Sequence, residues 1–309
     1  MQIDSHAYLH PDYLATFASQ GTPRRLRNSG GWIIERRIPG SDRHDAMGPY
    51  PLFCCNDWRG LAADIDDLRG SGLVSVALVT DPLSGPIDGK PFAGFDIVRP
   101  FKTHYVADLT VPLDEAFSRH HRACARRASR KLECDMPPRP LDHLDEWVGL
   151  YAQLVRRYNI TGMRRFSVEA FRGMLALPGT VLMRALHDGV IVGAQMMLIQ
   201  GNVAHAHLAA FTETGYRLGA SYLLDRVALD TFRGKVRFIN WGGGSGLAEA
   251  DTSGLAQYKQ GWTTDRHTAH FLGAILDREA YTSLARGEQA ASSYFPIYRT
   301  GEFGQDMAE

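Results

Sequence analysis

Residues 180–211 read TVLMRALHDGVIVGAQMMLIQGNVAHAHLAAF, three apolar runs divided by two short breaks. Asp188-Gly189 is a strong two-residue hairpin signal, because a type I′ turn needs positive φ at both central positions and these residue types tolerate it. Gln200-Gly201-Asn202 marks a second tight turn. The stretch therefore predicts a three-strand meander over 180–186, 190–199 and 203–211.

Upstream of the meander, residues 141–158 place Leu144, Trp147, Val148, Tyr151, Leu154 and Val155 at helical spacing. Ser167 has the character of an N-cap, with Ala170 and Phe171 on the helix it opens. Downstream, a glycine-marked turn over 215–221 opens a helix over 222–232, followed by a strand over 236–241. A short helix over 253–258, a strand over 268–276 and a last helix opened by Asp277 complete this half. In the first half, strands are expected at 32–38 and 73–79, a helix at 60–69 and a loop at 81–94. Residues 95–109 supply one or two further strands, broken at Pro100. A helix over 113–132 is stopped by Pro137-Pro138-Arg139-Pro140.

Strands and helices that alternate irregularly around antiparallel hairpins argue for an α+β fold with mixed sheets; a doubly wound nucleotide fold needs more parallel βαβ units. The seam near 132–142 divides the chain into an expected first lobe, 1–135, and a second, 136–309. The length of 309 residues suits either two ordinary domains or one large one.

Composition narrows the function classes. Lys plus Arg and Asp plus Glu are equal at 34 each, so no global field draws nucleic acid or anionic lipid, and such a partner would have to meet a local patch. The four cysteines, Cys54, Cys55, Cys124 and Cys134, follow no disulfide or Cys-x-x-Cys pattern and read as a reduced thiol set. Met1 to His6 has neither the basic start nor the apolar stretch of a signal peptide, and no run approaches the ~20 apolar residues of a membrane helix. These features set the expectation of a cytoplasmic protein with no membrane insertion.

Three segments carry chemistry. Gly215-Tyr216-Arg217-Leu218-Gly219-Ala220-Ser221 would expose the first N–H groups of a helix, a phosphate-binding arrangement to which Arg217 adds a cation. A plain strand-to-helix turn explains the glycines equally well. Asn240-Trp241-Gly242-Gly243-Gly244-Ser245-Gly246 ends a strand with a run that lets a ligand approach backbone closely, or serves as a simple linker. Lys259, in Gln257-Tyr258-Lys259-Gln260-Gly261-Trp262, is expected to be held by aromatic walls. Transfer of an acyl group to an amine passes through a tetrahedral oxyanion, which a positioned cation stabilises.

Other polar clusters are read more plainly. Arg119, Arg122, Arg126 and Arg130 share one helical face, which either grips phosphates or is simply solvated; the solvated face is the commoner case. His205 and His207 project to the same side of a strand, but no third ligand at metal spacing accompanies them, so no metal is expected. Gly-x-Ser-x-Gly, Walker and dinucleotide fingerprints are absent from the sequence.

Taken together, residues 115–275 resemble the FemABX-like branch of the GNAT acyltransferase superfamily. The resemblance rests on the Arg119–Lys131 helix, Gly193-Ala-Gln-Met-Met-Leu, Tyr216-x-x-Gly219-Ala220-x-x-Leu223-Leu224, the Asn240-Trp-Gly-Gly-Gly strand end and the Tyr258-Lys259 pair. Asp45-Ala-Met-Gly-Pro-Tyr50-Pro and Tyr294-Phe-Pro-Ile-Tyr298 are similar to segments of the same family. The resemblance implies tandem GNAT-like lobes, each a mixed, mostly antiparallel sheet flanked by helices, the first degenerate and on the acceptor side. It implies direct attack of an acceptor amine on an activated acyl donor. Lys259 and Tyr258 are then the catalytic candidates, with Arg217, Gly219, Ala220 and Ser221 holding the donor. Tyr50, Asp45, Asn240, Trp241 and His207 are the substrate-binding candidates. No tightly bound cofactor is implied; the donor is a co-substrate, either aminoacyl-tRNA or an acyl thioester on CoA or a carrier protein, and the acceptor is a small-molecule or peptide amine. The chain lacks the coiled-coil insertion of some cell-wall members, and the 214–220 turn follows the acetyl-CoA pattern only loosely. A binding module that has lost its chemistry and a conventional acetyl-CoA-dependent N-acetyltransferase are the alternatives.

Overall fold

The computed structural model describes residues 5–84, 92–112, 116–244, 254–285 and 294–302. Part of the 81–94 loop, the start of the helix expected from 113, Ser245, Gly246 and Ser253 lie outside the described residues. The chain divides into two compact units, each made of two segments: Met1–Asp12 with Thr103–His267, and Tyr13–Lys102 with Thr268–Glu309. The expected seam at 135 falls inside the first of these.

In the first unit the strands are the end of β5 (Ile97–Asp108), β6 (Glu133–Asp135), β7 (Thr180–His187), β8 (Val190–Gln200), β9 (Val203–Phe211) and β10 (Phe238–Asn240). Their spatial order is β5-β10-β9-β8-β7-β6. The meander read from 180–211 is present, with Asp188 at φ 51° and Gly189 at φ 76° in its first turn. Strand β5 pairs with β10, β9 with β8, β8 with β7 and β7 with β6 in antiparallel fashion. By contrast β9 and β10 are parallel, Ile239 facing Ala204 and Asn240 facing His205. Beyond His205, β9 runs on to Phe211 while β10 stops at Asn240, so the two strands part at the beginning of the glycine run.

Helices cover both faces of this sheet. Met183, Ala185, Met197, Ile199 and Ala204 enter one core with Leu224, Ala228 and Phe232 of a long helix, Ala220–Phe232. Their alternating neighbours Leu182, Ala194, Met196 and Leu198 are equally buried. Side chains of a strand alternate between faces, so β8, buried on both, reads as a nearly continuous apolar run. The helices of this unit include Arg119–Ala128 (α3), Leu144–Arg157 (α4), Val168–Ala176 (α5), Glu213–Leu218 (α6), Ala220–Phe232 (α7) and Gly254–Gln260 (α8). On α4 and α5, Trp147, Tyr151 and Phe171 pack ring against ring, Tyr151 and Phe171 with centroids 4.8 Å apart. Ser167 caps α5 as expected, its side chain accepting from the Ala170 N–H.

In the second unit, β1 (Thr22–Arg25), β2 (Trp32–Arg37), β3 (His44–Met47), β4 (Leu73–Val79) and the end of β11 (Asp265–Ile275) lie in that order. Again one pairing, β3 with β4, is parallel and those of β1 with β2, β2 with β3 and β4 with β11 are antiparallel. Helices α1 (Pro11–Ala15, begun in the first unit), α2 (Leu61–Leu68) and α9 (Arg278–Leu284) accompany them; Asp277 caps α9 by accepting from the Ala280 N–H. The fold is thus α+β, with two lobes that are each a mixed, mostly antiparallel sheet flanked by helices.

Four local expectations are corrected. Residues 215–221 are not a strand-to-helix turn: Thr212 accepts from the Gly215 N–H and starts α6, and Gly219, left-handed at φ 77°, joins α6 directly to α7. Pro100 does not break the strand, since β5 runs through it; proline removes only its own donor from the ladder. Asp45 lies in strand β3 rather than in a turn. Finally, the basic helix is confined to Arg119–Ala128, shorter than 113–132. Its buried face is His121, Ala125 and Ala128, and Arg119, Arg126 and Arg130 are exposed, as a solvated face requires.

Candidate active site

The site candidates of the first unit gather where α3, α7, α8 and the end of β10 meet. Trp262, just past α8, is buried edge-on against Phe117 and His121, with centroids 5.6 and 5.3 Å away. Gly261 explains why this turn cannot carry a side chain: a Cβ there would stand 2.1 Å from the His121 ring. His121 Nε2 meets the Tyr258 carbonyl oxygen at 2.8 Å, and a carbonyl only accepts, so that nitrogen carries the proton. Burial lowers the proton affinity of His121, which keeps the ring neutral.

Aromatic rings surround Tyr258, the residue before Lys259. The Tyr258 ring lies 4.9 Å from Tyr222 and 5.4 Å from His121, centroid to centroid. Its hydroxyl donates to Asp225 Oδ2 at 2.5 Å and receives a hydrogen bond from Ser221. Burial and the Asp225 charge push the phenol's pKa well up, so it remains protonated. Asp225 is buried and also receives Gln195 Nε2 at 3.2 Å. Burial raises its pKa to about 6, against the hydrogen bonds and the Lys259 charge that favour ionisation.

Lys259 follows Tyr258 on α8, and its Nζ donates to the Gly243 carbonyl oxygen at 2.5 Å. Gly242, at φ 80°, passes so close that a Cβ would stand 3.3 Å from that ammonium. Asn240 and Trp241 end β10 beside it. Asn240 Oδ1 accepts from the Gly242 N–H at 2.8 Å and lies 3.1 Å from His104 Nδ1. Trp241 Nε1 donates to the Trp262 carbonyl at 2.9 Å, tying the strand end to the turn after α8. An amide oxygen already occupies hydrogen-bonding distance of a lysine ammonium here, at the point where β9 and β10 separate.

The other candidates are placed as follows. Gly219 and Ala220 form the α6–α7 junction, with Ala220 buried, and Ser221 reaches Tyr258. Gly215 packs against β8 so closely that a Cβ would stand 2.0 Å from the Val192 oxygen. Arg217 is exposed and lies 3.5 Å from Thr214 on its own helix. His207 is buried on β9, where Tyr8 contacts it through a hydroxyl 3.2 Å from Nδ1. Burial, reinforced by His205, holds its pKa down to about 3, so it is a neutral ring.

Asp45 and Tyr50 belong to the second unit. Asp45 is fully buried and receives Arg299 Nε at 2.5 Å and Nη2 at 2.9 Å, with Arg36 Nε 3.6 Å away. The Tyr50 carbonyl accepts from the Tyr13 hydroxyl. Tyr258, Lys259, Ser221, Asn240 and Trp241 are therefore brought together within one unit, whereas Asp45 is taken up by a buried ion pair.

Sequence reasoning missed Asp225, Gln195, His121, Tyr222 and His104. A signal for Asp225 existed: it shares the buried helical face of Leu224, Ala228 and Leu229, where an unpaired carboxylate is costly. Among the described residues no cluster of His, Cys, Asp and Glu could hold a metal ion, and no helix is long and apolar enough to cross a membrane.

Comparison with known proteins agrees with this architecture. A family model described as an acetyltransferase (GNAT) domain matches residues 119–260. No curated protein matches the sequence. Among solved structures, FemX is similar with a TM-score of 0.66 at 12% identity, over 89% of this chain and 94% of that one. L-PGS from Bacillus licheniformis gives 0.61 at 13% identity, over 91% and 96%. The C-terminal domain of a putative lysylphosphatidylglycerol synthetase from Agrobacterium fabrum gives 0.61 at 13%, over 87% and 88%. Residues 119–260 thus match a GNAT acetyltransferase domain, and the fold of the chain is similar to those of FemX and L-PGS.

Proposed function

We propose that the protein is an N-acyltransferase that forms an amide bond by direct attack of an acceptor amine on an activated acyl donor. The observation that carries this reading is the Lys259 ammonium, 2.5 Å from the Gly243 carbonyl oxygen at the open end of β10. A donor carbonyl that displaced the backbone one would place its oxygen against a cation. As the amine attacks, the carbonyl carbon becomes tetrahedral and its oxygen gains negative charge, which the ammonium stabilises more than it stabilises the ground state. Collapse of the intermediate expels the tRNA ribose oxygen or the thiolate, and the amine's surplus proton leaves to water or to the departing group. No covalent enzyme intermediate is required.

Arg217 to Ser221 would hold donor phosphate at the start of α7. Asn240, Trp241 and His207 would line the way to the acceptor. An aminoacyl group is favoured by the fold-level likeness to FemX and to a lysylphosphatidylglycerol synthetase domain, whose name joins an amino acid to a lipid. The donor is then aminoacyl-tRNA, with an acyl thioester on CoA or a carrier protein as the other class to be tested.

Native mass spectrometry after incubation with charged tRNAs and acyl-CoA thioesters identifies the donor. Lys259→Ala should then lower kcat by about 10²–10³ with KM changed little, the loss typical of one oxyanion donor. Wild-type turnover in that variant would remove Lys259 from the mechanism.

A further inference from the structure

Asp225 is a buried carboxylate that the transfer reaction as written does not use. It stands one helical turn beyond Ser221 on α7, and both side chains converge on the Tyr258 hydroxyl. Gln195, reaching from β8, holds its second oxygen at 3.2 Å. Tyr258 precedes Lys259 on α8, a helix of only two turns, so a tether at Tyr258 fixes the rotation of that helix about its axis. The backbone of the same residue is held from the other side by His121, at 2.8 Å from the Tyr258 carbonyl. The path from Asp225 through Tyr258 to Lys259 and the Gly243 carbonyl is thus continuous.

We propose that Asp225 is a positioning residue of the transfer site: its ionised carboxylate, accepting the Tyr258 hydroxyl, sets the rotation of α8 at which the Lys259 ammonium reaches the glycine-rich end of β10. The inference rests on the acyl-transfer reading and adds a residue to that same site. A hydrogen bond to an ionised oxygen is shorter and about twice as strong as one between neutral groups, so protonation loosens the tether. The groups facing Asp225 are Tyr258 and Lys259 from α8, Gln195 from β8 and Tyr222 from its own helix; His121 of α3 meets it only through Tyr258. Lys259 favours the ionised form and burial opposes it, which places proton uptake near pH 6. Turnover should therefore fall as pH drops through that value. Burial also lowers the proton affinity of His121, so the Asp225→Asn variant is what assigns the acidic limb to Asp225.

The test is kcat and KM from pH 5 to 9 for wild type, Asp225→Asn and Asp225→Glu, with the donor found by mass spectrometry. Asn should lower kcat about 10-fold or more, with KM within about twofold, and abolish the acidic limb; Glu should restore part of both. An Asn variant with wild-type kcat, or one that keeps the limb near pH 6, overturns the proposal. A second arm needs no turnover: the carbon-13 resonances of Asp225 Cγ and Lys259 Cε are titrated together. Lys259 should shift in step with Asp225 in wild type and lose that step in Asp225→Asn; an indifferent Lys259 signal overturns the positioning role. If no donor supports turnover, the acyl-transfer reading fails while this arm still decides the Asp225–Lys259 link.

Discussion

Replacing Asp225 with asparagine should make the protein more stable above pH 6 and leave its stability near wild type at pH 4. The native carboxyl binds its proton near pH 6, against an ordinary value of 3.8, because burial opposes the charge. Each tenfold change in proton affinity is worth about 1.4 kcal/mol, so keeping Asp225 ionised in the fold costs roughly 3 kcal/mol at pH 8. The folded state takes up the proton at a higher pH than the unfolded chain does. That cost is therefore fully present above pH 6, shrinks as pH falls, and is gone once both states are protonated below about pH 4. An asparagine Oδ1 can still accept from Tyr258, and its amide, in the place of Asp225 Oδ1, can donate to Gln195 once that side-chain amide turns its Oε1 toward it. The value near 6 already includes the hydrogen bonds that favour the charge, so an amide that replaces the neutral carboxyl imperfectly leaves a net gain of ~1–3 kcal/mol at pH 8. Urea unfolding followed by tryptophan fluorescence suits the measurement, since Trp147, Trp241 and Trp262 all lie in the first unit. A variant less stable than wild type at pH 8, or a difference that stays constant between pH 8 and pH 4, would refute the reasoning. A stabilising substitution that cripples turnover would mark Asp225 as a group kept for function at the expense of stability.

Two further outcomes are expected. Gly261→Ala forces a methyl into the His121 ring and should cost about 1–3 kcal/mol, read as a lower unfolding midpoint, with turnover falling because α8 is displaced. Asp45→Ala leaves Arg299 and Arg36 buried against no carboxylate at that position and should destabilise by roughly 3–5 kcal/mol in denaturant titration. A stable Asp45→Ala protein with a raised KM would instead assign Asp45 to substrate.

Much of the fold was legible because local rules and tertiary packing agree. Asp188-Gly189 can hardly be anything but a hairpin, Ser167 and Asp277 cap the helices they precede, and 73–79 is a strand by its β-branched content. Where the reading failed, long-range contacts overrode local preference. Gly215 looked like a turn residue, but it is glycine so that α6 can press on the Val192 carbonyl. Asp45 sits in a segment bracketed by glycine and proline, yet Arg299, 254 residues later, draws it into β3 as a buried ion pair.

The site divides in the same way. Sequence by itself determined that a lysine flanked by aromatic residues follows a glycine-rich strand end, because these are properties of neighbouring residues. That Lys259 turns to the Gly243 carbonyl, and that rings enclose Tyr258, was decided only by tertiary structure. So was the meeting of Asp225 and Gln195, 30 residues apart on a helix and a strand, beside the Tyr258 phenol. Periodicity reports which face of an element is buried; which polar groups share that buried space depends on register and helix rotation, and no local rule encodes those.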